Sequence, residues 1–344
     1  MKVLKQISLA LFATLLAIPA LAQTQAEAIT AFNKGYEEAN AGNYDAAIEA
    51  YREALTIANQ LGPDGEDVKQ KAENQIPVVY FKKAATVYQN FQRSRSVEDL
   101  NATIAAFEET VKVGEEFNDQ RVVPRAKGNI PRLYYSKSVL LYGDGDYAGA
   151  TEAVDEAINR NPNYATAYYH KAKIVKKQGD TDGDGIMDDK IDEAMQWYDR
   201  AIQVAETQGD DEVADMAREA AHDELLAVGT RASEAGDTEY AIEILTQALD
   251  YNNESANVYY RLSEAHNKAS NPNKAVENAN KALTFETGGR TDKAKIYYEL
   301  GFAQQTLGNK SAACDAFSNA LYGPFKSPAE HKMEFELKCD STAD

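Results

Sequence analysis

Seven times along this chain a small residue is followed four positions later by a packing residue and three positions after that by a second small one. The series reads Ala47, Tyr51, Ala54; Thr103, Phe107, Thr110; Ala150, Val154, Ala157; Ala194, Tyr198, Ala201; Ala241, Leu245, Ala248; Ala275, Ala279, Ala282; and Ala313, Phe317, Ala320. Residues four and seven apart share one face of an α-helix, so each triplet presents two shallow positions around a bulkier one. A second helix can approach closely at the shallow positions while the middle side chain fills the space between them. Ala279 is the one small residue at the middle position. Turn signals stand before most of these segments, as at Ala41-Gly42-Asn43-Tyr44, Gly143-Asp144-Gly145-Asp146-Tyr147, Gln178-Gly179-Asp180, Ala235-Gly236-Asp237 and Leu307-Gly308-Asn309, and a first helix must precede each turn. Alanine, glutamate, lysine and tyrosine are abundant, and runs of β-branched residues are almost absent, so strands have little to be built from. The expected fold class is all-α, a series of helical hairpins.

The stretch from Gly42 through Asn43, Tyr44, Ala47 and Tyr51 to Leu55 resembles the second helix of a tetratricopeptide repeat (TPR). The small residue that the family carries on its first helix falls at Gly35, Ala84, Ser138, Ala172, Gly229, Ser263 and Gly301, and its closing proline at Pro162. The resemblance covers about Ala26 to Leu321 and implies a solenoid of seven irregular repeats. Irregularity shows in the spacing of the second helices: successive first small residues lie 56, 47, 44, 47, 34 and 38 positions apart, against the family's period of 34. Extra residues in Asp67–Asn90 and Asp119–Tyr142 are expected to lengthen helices, and Pro77, Pro124 and Pro131 to kink or break them. Beyond Tyr322-Gly323-Pro324 a short helix from Ser327, carrying Met333, Phe335 and Leu337, reads as a cap over the last repeat. The organisation expected is residues 1–22 as a signal peptide, 26–323 as the TPR-like array with an insertion at 180–192, and 324–344 as cap and tail.

In proteins of the resembling family the first helices line a concave groove, with the residue three before the small position facing the groove and the residue four before facing the core. Those two positions hold Tyr80-Phe81, Tyr134-Tyr135, Tyr168-Tyr169, Tyr259-Tyr260 and Tyr297-Tyr298, with Phe32 alone in the first repeat and Leu225-Leu226 breaking the series in the fifth. The resemblance therefore assigns Phe32, Phe81, Tyr135, Tyr169, Tyr260 and Tyr298 to a partner-binding stripe. Each ring offers apolar area at low entropic cost, and each tyrosine a hydroxyl for a backbone group. Packing between the helices is the competing reading for every one of them. Beside Tyr169, Lys173 and Lys177 share a helix face, which suits an acidic segment of a partner or simply a solvated surface.

In the fourth repeat the expected turn becomes Asp180-Thr181-Asp182-Gly183-Asp184-Gly185-Ile186-Met187-Asp188-Asp189. Carboxylates at loop positions 1, 3, 5 and 9, glycine at 6 and a backbone carbonyl at 7 make a calcium-loop pattern, with Asp180, Asp182, Asp184, Ile186 and Asp188 as ligands. Position 12 is Ile191 where an EF-hand has glutamate, so Asp189, Asp192 or Glu193 is left to complete the shell. Calcium is expected here as a structural cofactor.

Lys2 and Lys5, the apolar run Ile7–Ile18 and the small-residue site Ala20-Leu21-Ala22 read as a secretory signal peptide, because the run is too short for a bilayer span of about 20 residues. The expectation is an exported protein, periplasmic or else secreted or surface-associated. Its formal charge of −19 opposes nucleic acid and anionic lipid. In an oxidising compartment Cys314 and Cys339 can pair, two buried thiols being the alternative, and a bond between them would fasten the cap. No phosphate loop or paired metal-spaced histidines occur, and His170, His222, His266 and His331 fall in different units. The function read from these features is a non-enzymatic scaffold or adaptor that binds other proteins or peptides in cell-envelope assembly or traffic. The alternatives are a calcium-stabilised structural protein and a glycan-binding accessory.

Overall fold

The computed structural model describes residues 24–187 and 189–339, so the expected signal peptide at 1–22, the fourth expected loop carboxylate Asp188 and the tail 340–344 lie outside the described residues. Two compact units divide the chain, Met1–Ile130 and Pro131–Asp344. The first holds α1 (Gln25–Ala41), α2 (Tyr44–Leu61), α3 (Glu66–Ser94) and α4 (Val97–Glu116). The boundary falls within α5 (Val122–Gly143). The second continues with α6 (Tyr147–Arg160), α7 (Ala165–Gly179), α8 (Ile191–Gln208), α9 (Asp211–Ala235), α10 (Thr238–Tyr251), α11 (Ala256–Lys268), α12 (Pro272–Phe285), α13 (Arg290–Thr306), α14 (Lys310–Asn319) and α15 (Lys326–His331). No strand occurs among the described residues, and consecutive helices pair as hairpins. The fold is all-α and TPR-like, each odd-numbered helix up to α13 serving as the first helix of a hairpin.

Why these hairpins close is visible atom by atom. A methyl group at Gly35 on α1 would lie 2.8 Å from the ring of Tyr51 on α2, and one at Gly301 on α13 would lie 2.8 Å from the ring of Phe317 on α14. Glycine is thus present because the middle residue of the partner's triplet occupies the space of a side chain. Where that middle residue is Val154 or Ala279, the first helix carries serine instead, and the room left takes a hydroxyl. Ser138 Oγ donates to the carbonyl of Ala150 (2.7 Å) and Ser263 Oγ to that of Ala275 (2.9 Å). The flanking small residues of the seven triplets are buried in every case.

Helix ends follow the turn chemistry. Asp146, Asp210 and Asp237 accept from the backbone N–H three residues on, and Gly42 and Gly236 close their helices in left-handed conformation (φ 84° and 90°). The prolines do not break their helices. α3 runs unbroken through Pro77 and α5 through Pro131, while Pro124 sits in the first turn of α5, where its missing N–H costs nothing.

The cap comprises α15 and a π-helical turn, Lys332–Leu337. Ala329, Met333 and Leu337 cover Phe317 and Ala320, whereas Phe335 is 67% exposed, so two of the three expected apolar residues do the covering. Cys314 on α14 and Cys339 are joined as a disulfide with Cα atoms 5.8 Å apart. No helix among the described residues is long and apolar enough to cross a membrane.

Candidate functional site

In the first unit, Phe32 is half-buried and packs on Tyr51 of its own hairpin at 5.2 Å between centroids, while Phe81 meets Phe107 edge-on at 5.8 Å and carries the Arg125 guanidinium 4.5 Å above its ring. In the second unit, Tyr169 leans on Tyr198 (6.0 Å) and Tyr298 on Phe317 (5.5 Å). These four rings obey one rule: each rests against the middle residue of the triplet on its partner helix. Tyr135 and Tyr260 face Val154 and Ala279 in that register; Tyr135 packs beside Tyr164 and His170 instead. All six are half-buried. Their neighbours Tyr168 and Tyr259 are buried, as their core positions require, and Tyr134 and Tyr297 are half-buried. Burial pushes the Tyr260 phenol up to about 12, so its hydroxyl remains a donor at neutral pH.

The expected basic face on α7 is mostly neutralised. Lys171 pairs with Asp155, Lys176 with the buried Glu224, and Lys177 with Asp180 at 3.2 Å. Lys173 stands 5.7 Å from the Tyr169 centroid and forms no ion pair among the described residues. A second group of basic side chains lies two hairpins on. Along the adjoining first helices α9, α11 and α13, a cavity of about 300 Å³ is lined by Leu226, Thr230, Asn257, Tyr260, Arg261 and Lys295. Arg261 and Lys295 lie 5.2 and 5.0 Å from the Tyr260 centroid. Sequence reasoning missed Arg261, Asn257 and Lys295. The last two each precede a stripe tyrosine by three residues, a helical spacing that places them on the same face.

Further along the same two helices, Asn267 Nδ2 on α11 donates to Glu299 Oε2 on α13 at 2.8 Å. Burial pushes the Glu299 carboxyl up to about 7; Asn267 and the nearby Lys268 and Arg261 oppose the rise, and Glu264 adds to it. The arrangement recurs one step along, where Gln305 Nε2 on α13 donates to Glu336 in the cap at 2.9 Å. The cap therefore copies part of a first helix.

Between α7 and α8, one carboxylate oxygen from each of Asp180, Asp182 and Asp184 lies within 4.8 Å of the others. Oxygens so spaced can each reach a single calcium ion at about 2.3–2.6 Å, so the donor set fits that cation. Gly185, at φ 90°, donates its N–H to Asp180 Oδ1 (3.1 Å), Asp184 to Asp182 Oδ1 (3.0 Å) and Ile186 to Asp184 Oδ1 (2.8 Å). Burial raises the Asp180 carboxyl, but the Gly185 N–H and the Lys177 ammonium outweigh it and hold the group below the usual carboxylate range. Arg231 of α9 reaches back to Asp184 Oδ2 (3.3 Å) and to the Met187 carbonyl, tying the loop to the next hairpin. Ile186 is half-buried against the core and Met187 is buried.

Among the described residues a Ser–His–Asp contact chain occurs, with His222 Nε2 2.9 Å from Ser255 Oγ and Nδ1 2.9 Å from Asp223 Oδ1. Ser255 caps α11 through its Oγ, which accepts from Val258 N–H (3.3 Å), and it is buried away from the adjacent cavity that His222 lines. The distances match a nucleophile with its base, and the same hydroxyl is engaged in the helix cap.

Residues 28–61, which span α1 and α2, match the family model described as tetratricopeptide repeat. None of the curated proteins matches the chain. Among solved structures it is similar to MamA protein (19% identity, 61% of this chain and 97% of that one, TM-score 0.36). It is also similar to YrrB, described as a TPR protein with an unusual peptide-binding site (16% identity, 59% and 91%, TM-score 0.35). A third is the C-terminal part of a TPR repeat-containing protein from Cytophaga hutchinsonii (15% identity, 74% and 82%, TM-score 0.36). With Gly35, Gly229 and Gly301 seated against the middle residues of their triplets and Ser138 and Ser263 bonded across theirs, the repeated hairpins themselves identify a TPR-like all-α scaffold whose first hairpin matches the family in sequence.

Proposed function

We propose that this chain is an exported, non-catalytic scaffold that holds a partner polypeptide against the first helices of its hairpins, working in cell-envelope assembly or traffic. The observation that carries this reading is the half-buried rings on the first helices of each unit taken by itself, four of them seated on the triplets of their own hairpins. Such rings are held rigid from behind, so a partner gains apolar contact without ordering them. The YrrB description as a peptide-binding TPR protein accords with it. The export reading rests on the sequence before Gln23 together with the Cys314–Cys339 bond.

The test is crosslinking of the processed protein in its native envelope, beside a Tyr169→Ala/Tyr260→Ala variant. A partner captured by the wild type and lost by the variant is the expected result. Capture that ignores both substitutions would remove the groove reading. A second reading, a calcium-stabilised structural protein, is favoured by the convergence of Asp180, Asp182 and Asp184. Under it, Lys177 and Arg231 stand beside Asp180 and Asp184, while calcium would add the binding energy that fixes the joint between α7 and α8. Calcium should then raise the melting temperature of the wild type and not of Asp182→Asn; equal melting with calcium and with chelator would discard it.

A further inference from the structure

The cavity between α9, α11 and α13 stands where the aromatic series breaks. At the register position held by Tyr169, Tyr260 and Tyr298 in other hairpins, α9 carries Leu226, and the space beside it is about 300 Å³, enough for one large side chain. Its walls are of two kinds. Leu226 and the Tyr260 ring supply apolar surface, while Arg261 and Lys295 supply positive charge. Arg261 Nη1 is held by Glu264 (2.8 Å) and lies 3.9 Å from Glu234. Lys295 is less satisfied: its ammonium donates to Asn257 Oδ1 (2.8 Å), stands over the Tyr260 ring, and forms no ion pair among the described residues. In a chain of net charge −19 with acidic side chains on most helices, a half-buried lysine without a carboxylate is a vacancy for one.

Building on the polypeptide-binding reading, we propose that this cavity is a specificity site for an acidic–aromatic segment of the partner. A phenylalanine-sized side chain fills the space beside Leu226 and Tyr260, and the flanking aspartate or glutamate carboxylate accepts from Lys295 and Arg261. The pairing of an apolar space with adjacent cations selects an apolar residue and an acidic residue next to each other on one chain.

Fluorescence anisotropy with the full chain tests this, using a short fluorescein-labelled peptide that carries phenylalanine between glutamates and is amidated at its C-terminus. Replacing the glutamates by glutamine, or the phenylalanine by alanine, should weaken binding about tenfold each. Lys295→Met should cost the wild-type peptide about tenfold, and Lys295→Arg should restore most of it. Leu226→Tyr completes the aromatic series, fills the cavity from within and should abolish binding while the helical circular dichroism and melting temperature are kept. Absence of peptide binding, equal affinity for the glutamate and glutamine peptides, or full binding by both Lys295→Met and Leu226→Tyr would overturn the proposal. So would displacement of the peptide by inorganic phosphate at concentrations where acetate has no effect, since the site would then read anions in general. An envelope partner lost with Tyr169→Ala/Tyr260→Ala but retained by Leu226→Tyr and Lys295→Met would sink this cavity and leave the scaffold reading standing.

Discussion

A single methyl group separates a glycine that the fold requires from one it merely tolerates. At Gly301 an added Cβ would meet the Phe317 ring at 2.8 Å, whereas at Gly128, within α5, it meets nothing within 4 Å. Alanine gains about 1 kcal/mol over glycine in a helix interior, but overpacking a tight core contact costs about 1–3 kcal/mol. Gly301→Ala should therefore lower stability by up to about 2 kcal/mol and Gly128→Ala should raise it by up to about 1 kcal/mol, both read from urea midpoints. Two changes of the same sign would refute the steric account of the repeat signature. At this scale much was legible in the sequence: the triplets follow from spacing and residue type, the burial of Tyr168 and Tyr259 from the resemblance, and the Cys314–Cys339 bond was one of two outcomes that an oxidising compartment left open. The fate of the lysines was not. Lys171 and Lys176 are neutralised by Asp155 and Glu224, which lie 16 and 48 residues away, and such pairs are set by helix packing that no local window contains.

Between elements, the joint from α11 to α13 is built on a proton-sensitive contact. Glu299 faces Glu264, Arg261 and Lys268, accepts from Asn267, and has its carboxyl raised from 4.5 to about 7, with burial the largest cause. An acid whose folded-state value is raised binds more protons folded than unfolded in the interval between the two values. Stability therefore falls as pH rises from about 4.5 to about 7 and levels off above it. At about 1.4 kcal/mol per unit the full span is about 3 kcal/mol, and partial solvent access reduces it to about 1–2 kcal/mol. Thermal unfolding of the wild type should show this decline on top of the background from other groups, and Glu299→Gln should remove it. An identical pH profile for the two proteins would exclude Glu299 as the source. Nothing in the sequence marked this contact, because the recurrence of Asn267→Glu299 as Gln305→Glu336 emerges only once α13 and the cap are laid beside their predecessors. The lengthened helices at Asp67–Asn90 and Asp119–Tyr142 were legible from the enlarged spacing of the second helices, but their continuity through Pro77 and Pro131 was not. A proline ring costs a helix one hydrogen bond, and a well-buried face can outweigh that loss.

Over the whole molecule the one disulfide is placed where a series of repeats is weakest. Each hairpin buries its apolar face against its neighbours, and the last one in a unit has a neighbour on one side only. In the second unit that exposed end is covered by the cap, through Ala329, Met333 and Leu337 on Phe317, by Lys332 5.3 Å from the Phe302 centroid, and by Gln305 on Glu336. These contacts are few, and the bond from Cys339 to Cys314 holds them by closing a loop with a sequence separation of 25, which restricts the unfolded chain by about 3 kcal/mol. The single tryptophan, Trp197 on α8, lies in the same unit and reports it selectively, since the first unit has none. Reduction should therefore lower the Trp197 fluorescence midpoint by several degrees, while far-UV circular dichroism, which sees both units, retains a component unmoved by reductant. A Trp197 transition indifferent to reduction would mean that the cap stabilises its own hairpin and no more, and that the second unit melts piecewise. A shift of the entire dichroism curve would instead show that the two units unfold as one.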